Sequence, residues 1–131
     1  MKMAFYRGPG NWFDKLIRFV TGSEYSHCEI VIDGLCWSAS PRDGGVRGKY
    51  INLQSGHWDV IDLPGDEWLV CLWFKDHQGA GYDWIGLIRT VIPFFPHSKA
   101  KWFCSEACGA ALCFEASRMS PQDLFDRLRP Q

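Results

Sequence analysis

The sequence predicts an α+β domain, an antiparallel sheet of about five strands with helices packed against it. Three observations lead there. Short apolar runs, broken by Gly, Pro, Asn and Asp, fill residues 27–74. Helical spacing and capping signals precede and follow that block. No internal repeat, low-complexity tract or linker divides the chain. A chain of 131 residues supports one modest core, so residues 1–131 are read as a single domain.

Asn11 caps a first helix over residues 12–20, closed by Gly22. Trp12, Leu16, Phe19 and Val20 form its expected buried stripe. Residues 27–33 read as a strand, and Asp33-Gly34 as a tight turn into a second strand over 35–40. After the break at 41–45, further strands are expected at 46–53, 58–63 and 67–74. The last is apolar from Trp68 to Phe74 and is expected at the centre of the sheet. Residues 82–91 carry a helical pattern that the loop 93–97 ends. Another helix begins at Cys104 and runs to about Glu115. Ser120 as cap and Pro121 at the first helical position open a final helix covering 124–128.

Net charge is −1, and the 14 basic and 15 acidic residues are dispersed, which excludes the footprint of a nucleic-acid binder. Residues 1–9 lack the apolar core of a signal peptide. Synthesis in a reducing cytoplasm with free cysteines is therefore expected, and delivery in a particle such as a phage is left open. The longest apolar stretch, 84–95, contains Arg89 and Pro93 and is too short to span a bilayer. The six cysteines include no Cys-x-x-Cys pair, so no zinc site, and no other metal or cofactor, is expected.

Cys104 stands where bulky aromatics (Trp102, Phe103) give way to small helix formers (Ala107, Gly109, Ala110, Ala111). A cysteine in the first turn of a helix faces free backbone N–H groups and the positive end of the helix dipole, and both favour the thiolate. From the residues alone, a nucleophile and a buried core cysteine stand level. His27 opens the first strand of the block. Alternation sets His27, Glu29 and Val31 on one face and Cys28, Ile30 and Ile32 on the apolar one, so His27 faces away from the core, where a helix carrying Cys104 would meet it. A thiolate beside an imidazole is the minimal apparatus for nucleophilic cysteine catalysis. Ser38, on the next strand, is the first choice to orient the ring, and Glu29 the second. His57 and His77 read as solvated turn residues, His97 as a surface loop residue, and Glu106 as a first-turn acid that complements the dipole.

Five segments together carry a family resemblance: Tyr25-Ser26-His27, the two strands after it, Gly81-Tyr82-Asp83-Trp84, Phe103-Cys104-Ser105-Glu106, and Ser120-Pro121-Gln122-Asp123-Leu124. In order and spacing, over residues 22–128, they resemble the circularly permuted branch of the papain-like NlpC cell-wall peptidases, the YiiX-like proteins in particular. The resemblance implies a permuted papain-like fold with Cys104 as nucleophile, His27 as base, and Tyr82 and Tyr25 at the substrate. The family's third residue is often a glutamate on the second strand. Ser38 stands at the matching position, a departure that weakens the expected orientation of His27.

The first functional reading is a thiol hydrolase acting on an amide or thioester, with a peptidoglycan peptide as the substrate the resemblance implies. The second is a lipid acyltransferase or thioesterase of the lecithin–retinol acyltransferase type. Residues 84–95 would then suit an acyl chain or a membrane surface, although a core helix with a capping loop is the plainer reading. The third is a binding module whose catalytic site has decayed.

Overall fold

The computed structural model describes residues 1–84, 101–116 and 118–130. The chain runs β1 (Lys2–Tyr6), α1 (Trp12–Thr21), β2 (His27–Ile32), β3 (Leu35–Ser40), β4 (Gly45–Tyr50), β5 (Trp58–Asp62), α2 (Glu67–His77), β6 (Gly81–Tyr82), β7 (Lys101–Trp102), α3 (Cys104–Ala111) and α4 (Pro121–Leu128). One sheet has the order β5-β1-β2-β3-β4-β6-β7. All neighbours are antiparallel except β6 and β7. The domain is thus α+β, with five strands of useful length and two short pieces at one edge.

Local chemistry explains most of these elements. Asp33 and Gly34 both take positive φ, 50° and 80°, which gives the mirror-image turn that suits two strands of right-handed twist. That turn sets the β2–β3 register, with Ile30 opposite Trp37 and Val31 opposite Cys36. Gly45 has φ 145°, and a Cβ there would stand 1.8 Å from the Ala80 carbonyl oxygen. Only glycine lets β4 meet β6 at that point. Asn11 and Asp14 cap α1 reciprocally, as Ser120 and Asp123 cap α4.

The main core lies on the Cys28–Ile30–Ile32 face of the sheet. The buried residues of all four described helices join it: Phe13 and Ile17 from α1, Val70 and Phe74 from α2, Ala107 and Cys108 from α3, and Leu124 from α4. The other face carries a small cluster of Ala4, Val31 and Cys36, flanked by Ile51, Leu53 and Trp58. No described helix is long and apolar enough to cross a membrane.

Several expectations need correction. Residues 67–74 form helix α2 and not a central strand. The sheet instead gains β1, which lies between β2 and β5 and had no counterpart in the sequence reading. The Asp66 side chain accepts from the backbone N–H of Trp68 (2.9 Å) and Leu69 (3.2 Å), which starts the helix. Only Val70 and Phe74, one turn apart, are buried on it, while Trp68, Leu69 and Leu72 are exposed. Phe74 stacks on Trp37 with ring centroids 5.7 Å apart. Asp66→Ala is expected to cost about 1 kcal/mol in urea unfolding, whereas a strand in this place would be indifferent to it.

On α1 the expected stripe is reversed. Phe13, Asp14 and Ile17 are buried, and Trp12, Leu16 and Phe19 are exposed. Both faces carry apolar residues at helical spacing, and Asp14 decides between them. Its carboxylate accepts from Ser26 Oγ (3.0 Å) and pairs with Arg42, so its face turns inward. Helix α3 ends at Ala111, short of Glu115. Gly81 and Tyr82 are sheet residues and not the start of a helix. Residues 85–100, with most of the expected 82–91 helix, the apolar stretch and His97, lie outside the described residues.

Candidate active site

Cys104 is the first residue of α3. Phe103 occupies the cap position without a side-chain hydrogen bond, so the first backbone N–H groups of the helix are left to whatever approaches the Cys104 sulfur. The helix is made mostly of small residues, and its inward side packs on β2 and β3. That is the Cys28 face, not the His27 face expected to receive it. The pair still meets, because His27 is the terminal residue of β2. Its ring stands close enough to the Cys104 sulfur for each group to favour the charged form of the other.

His27 Nε2 lies 2.7 Å from Glu29 Oε1, which leaves Nδ1 for Cys104. Glu29 is fully buried and is held from its far side by Arg47, whose Nη1 and Nη2 donate to Oε2 and Oε1 at 2.7 and 2.6 Å. Arg47 also donates from Nε to Asp43 at 2.7 Å. A line of charges therefore runs Asp43, Arg47, Glu29, His27, Cys104. Cross-strand geometry builds it: Glu29 and His27 sit two residues apart on one face of β2, and Arg47 reaches them from β4.

The electrostatics favour an ion pair. Burial opposes charge on His27, but the Glu29 carboxylate and the hydrogen bonds with Cys104 and Glu29 raise it to about 10. Burial likewise opposes charge on Glu29, and His27 and then Arg47 hold it below its ordinary value. A hydrogen bond from the Cys28 thiol is the largest influence on Cys104. It overcomes burial and, together with His27, drops the Cys104 thiol well below its ordinary value. Both shifts favour the thiolate–imidazolium pair over the neutral one.

A cleft of about 250 Å³ opens beside His27. Register places Trp58, Tyr6 and His27 side by side on adjacent strands, with Tyr6 and Trp58 ring centroids 5.0 Å apart. Phe13 and Ile17 of α1 form another wall, and Arg42, Arg47 and Lys49 bring positive charge. Each of those cations already pairs with a carboxylate: Asp14, Glu29 and Asp43 respectively.

Of the expected site residues, Cys104, His27 and Tyr82 come together. Tyr82 is buried against Phe13 and Trp84. Burial, and after it the Cys104 charge, push its phenol well up, so it keeps its proton. Ser38 does not orient His27. Its hydroxyl donates to the Cys28 carbonyl at 2.7 Å, and Glu29 makes the contact expected of it. Tyr25 does not face the cleft either. Its ring packs on Phe5 and Phe125, and its hydroxyl donates to Asp59 at 2.8 Å. Arg47, Asp14 and the Cys28 thiol went unnoticed in the sequence. A carboxylate inside the apolar run Cys28-Glu29-Ile30-Val31-Ile32 was the available signal, because a buried acid demands a cationic partner.

Compared with known proteins, the chain matches no family model and no curated relative.

Proposed function

We propose that this protein is a cysteine hydrolase that cleaves an amide, the peptide moiety of peptidoglycan being the favoured substrate, by way of a Cys104 thioester. The observation that carries the reading is the Cys104–His27–Glu29 line, with the sulfur at a helix N-terminus and the imidazole backed by a buried carboxylate. The Cys104 thiolate attacks the carbonyl carbon. His27, already protonated, gives its proton to the leaving amine. The tetrahedral oxyanion is offered the Cys104 backbone N–H, with the Tyr82 hydroxyl as second donor. Water, deprotonated by His27, then releases the acyl group and regenerates the thiolate. The histidine-before-cysteine order and the helix-on-sheet meeting support a permuted papain-like NlpC relationship, with Glu29, on the same strand as His27, in place of the family's glutamate on the strand that follows.

A lipid acyl substrate is the second reading. The apolar cleft walls and the exposed Trp12, Leu16 and Phe19 of the neighbouring helix face favour it. Turnover of a muropeptide against turnover of a phospholipid ester separates the two.

Thiol reactivity tests the common chemistry. Free cysteine titrates near pH 8.5, so an ordinary thiol is almost inert to iodoacetamide at mildly acidic pH. Cys104 is expected to react there, while Cys28 and Cys36 do not. Burial raises both of these, Cys36 to about 11. His27→Ala is expected to slow the Cys104 reaction about tenfold or more. Peptide mapping by mass spectrometry across pH provides the measurement. A Cys104 profile like that of a free thiol, unchanged in His27→Ala, would leave a binding module as the better reading.

A further inference from the structure

The mechanism leaves the buried Cys28 thiol unused. Cys28 follows His27 directly, and strand alternation turns its sulfur toward α3 while His27 turns the other way. Three thiols meet there. Cys28 Sγ lies 4.0 Å from Cys108 Sγ, the Cys108 thiol approaches the Cys28 carbonyl oxygen at 3.9 Å, and Cys104 stands one turn before Cys108 on the same helix, where the Cys28 thiol favours its charged form. All three residues are buried, Cys104 being 3% exposed. Packing alone does not call for three thiols at one spot, since alanine or valine would fill it.

We propose that Cys28 is a resolving thiol for Cys104: peroxide oxidation of Cys104 ends in an internal Cys28–Cys104 disulfide, which masks the nucleophile and protects it from irreversible oxidation. The proposal rests on the reading of Cys104 as a thiolate, the form that peroxide attacks.

The chemistry balances with hydrogen peroxide as oxidant. The Cys104 thiolate attacks one peroxide oxygen. The S–O bond forms and the O–O bond breaks, and the departing hydroxide takes the His27 proton and leaves as water. Cys104 is now a sulfenic acid. Cys28 attacks the Cys104 sulfur and gives up its proton to the departing oxygen. The S–S bond forms, the S–O bond breaks, and a second water leaves with that proton. Two thiols have lost two electrons to one peroxide. The first step also readies the second: a neutral sulfenic acid no longer presents the charge that helps to hold the Cys28 thiol up.

Cys108 is the wrong partner for Cys104, although it is near. The two are four residues apart on one helix, a spacing that sets their Cβ atoms about 5–6 Å apart. A disulfide needs about 3.5–4.5 Å between Cβ atoms, so that link would require α3 to unwind. Cys28 approaches from the facing strand.

The test treats the full chain, the Cys28→Ala and Cys28→Ser variants and the Cys108→Ala variant with hydrogen peroxide. Intact mass, mapping of linked peptides, and Cys104 alkylation before and after dithiothreitol are then compared. The wild type is expected to lose two hydrogen atoms and to yield a peptide pair joined through Cys28 and Cys104. Dithiothreitol is expected to restore about nine-tenths or more of its Cys104 alkylation, against about one-tenth or less in both Cys28 variants, where Cys104 gains two oxygens instead. Cys108→Ala is expected to behave as wild type. A wild type that forms the dioxygenated Cys104 in the same share as Cys28→Ala overturns the proposal. So does a link joining Cys28 to Cys108, a result the wild type gives whether or not the variants fold. The hydrolase reading stands or falls separately, on alkylation of reduced Cys104 across pH.

Discussion

Cys104→Ala is expected to bring amide turnover down to background, a loss on the order of 10⁴-fold, because the acyl group then has nothing to bond to. Cys104→Ser is expected to do nearly the same. Its oxygen is no larger than the sulfur, but it stays protonated at neutral pH, and His27, already charged, cannot take its proton. The measurement is amine release from a muropeptide under saturating substrate, with far-UV circular dichroism showing that both variants keep the fold. Substrate binding should persist in both, since the cleft walls come from Tyr6, Trp58, Phe13 and Ile17. A Cys104→Ala variant that retained a tenth of wild-type turnover would exclude covalent catalysis at this position.

The second large effect belongs to Glu29→Gln. The amide keeps the shape and can still meet the imidazole, but it no longer balances the charges of His27 and Arg47. His27 then loses the main force that holds its proton, and Cys104 loses its charged partner. Turnover is expected to fall on the order of 10²–10⁴-fold, the range for removing the group that orients an imidazole beside a nucleophile. Stability is expected to fall by about 3–5 kcal/mol, because one partner of a buried ion pair has gone. Ser38→Ala is the control. It deletes one hydrogen bond to the Cys28 carbonyl and should cost about 1 kcal/mol, with turnover nearly unchanged. Equal losses in the two variants would return the orienting role to Ser38.

The same pair gives stability a pH signature. The folded-state value of His27, about 10, lies above its ordinary 6.5. Its contribution is therefore complete below pH 6.5 and lost as pH rises through 10. Glu29 is depressed below 4.5, so its contribution is complete above that value and is lost as pH falls through the folded-state one. Both contributions are largest at mildly acidic pH, between about 4.5 and 6.5, and the Glu29→Gln deficit should be widest there.

What could be read in the sequence were features with local causes. Asn11 and Gly22 bound α1, Asp33-Gly34 makes the hairpin, and Ser120-Pro121 starts α4, each within a few residues of itself. Cys104 was legible for the same reason, as a change in side-chain size at a helix start. The failures arose where tertiary partners decide. The run from Trp68 to Phe74 is apolar enough for a buried strand, but it is a helix with one buried edge, and the Asp66 cap outweighs its β propensity. Trp12–Leu16–Phe19 and Phe13–Ile17 are both plausible inward stripes, and only the contacts of Asp14 with Ser26 and Arg42 choose. Glu29 lost out to Ser38 because Arg47, the residue that makes a buried acid affordable, lies eighteen positions on and becomes its neighbour only through the fold.

His27 and Cys104 stand at opposite ends of the chain's order and meet only when α3 lies on the finished sheet. On a ribosome the histidine and its supporting carboxylate emerge long before the cysteine. Until α3 is made the nascent chain therefore holds no partner for His27, and Cys28 waits as an ordinary thiol. On the proposed reading the reactive sulfur forms only when α3 docks on the sheet, and a chain cut before α3 lacks the nucleophile.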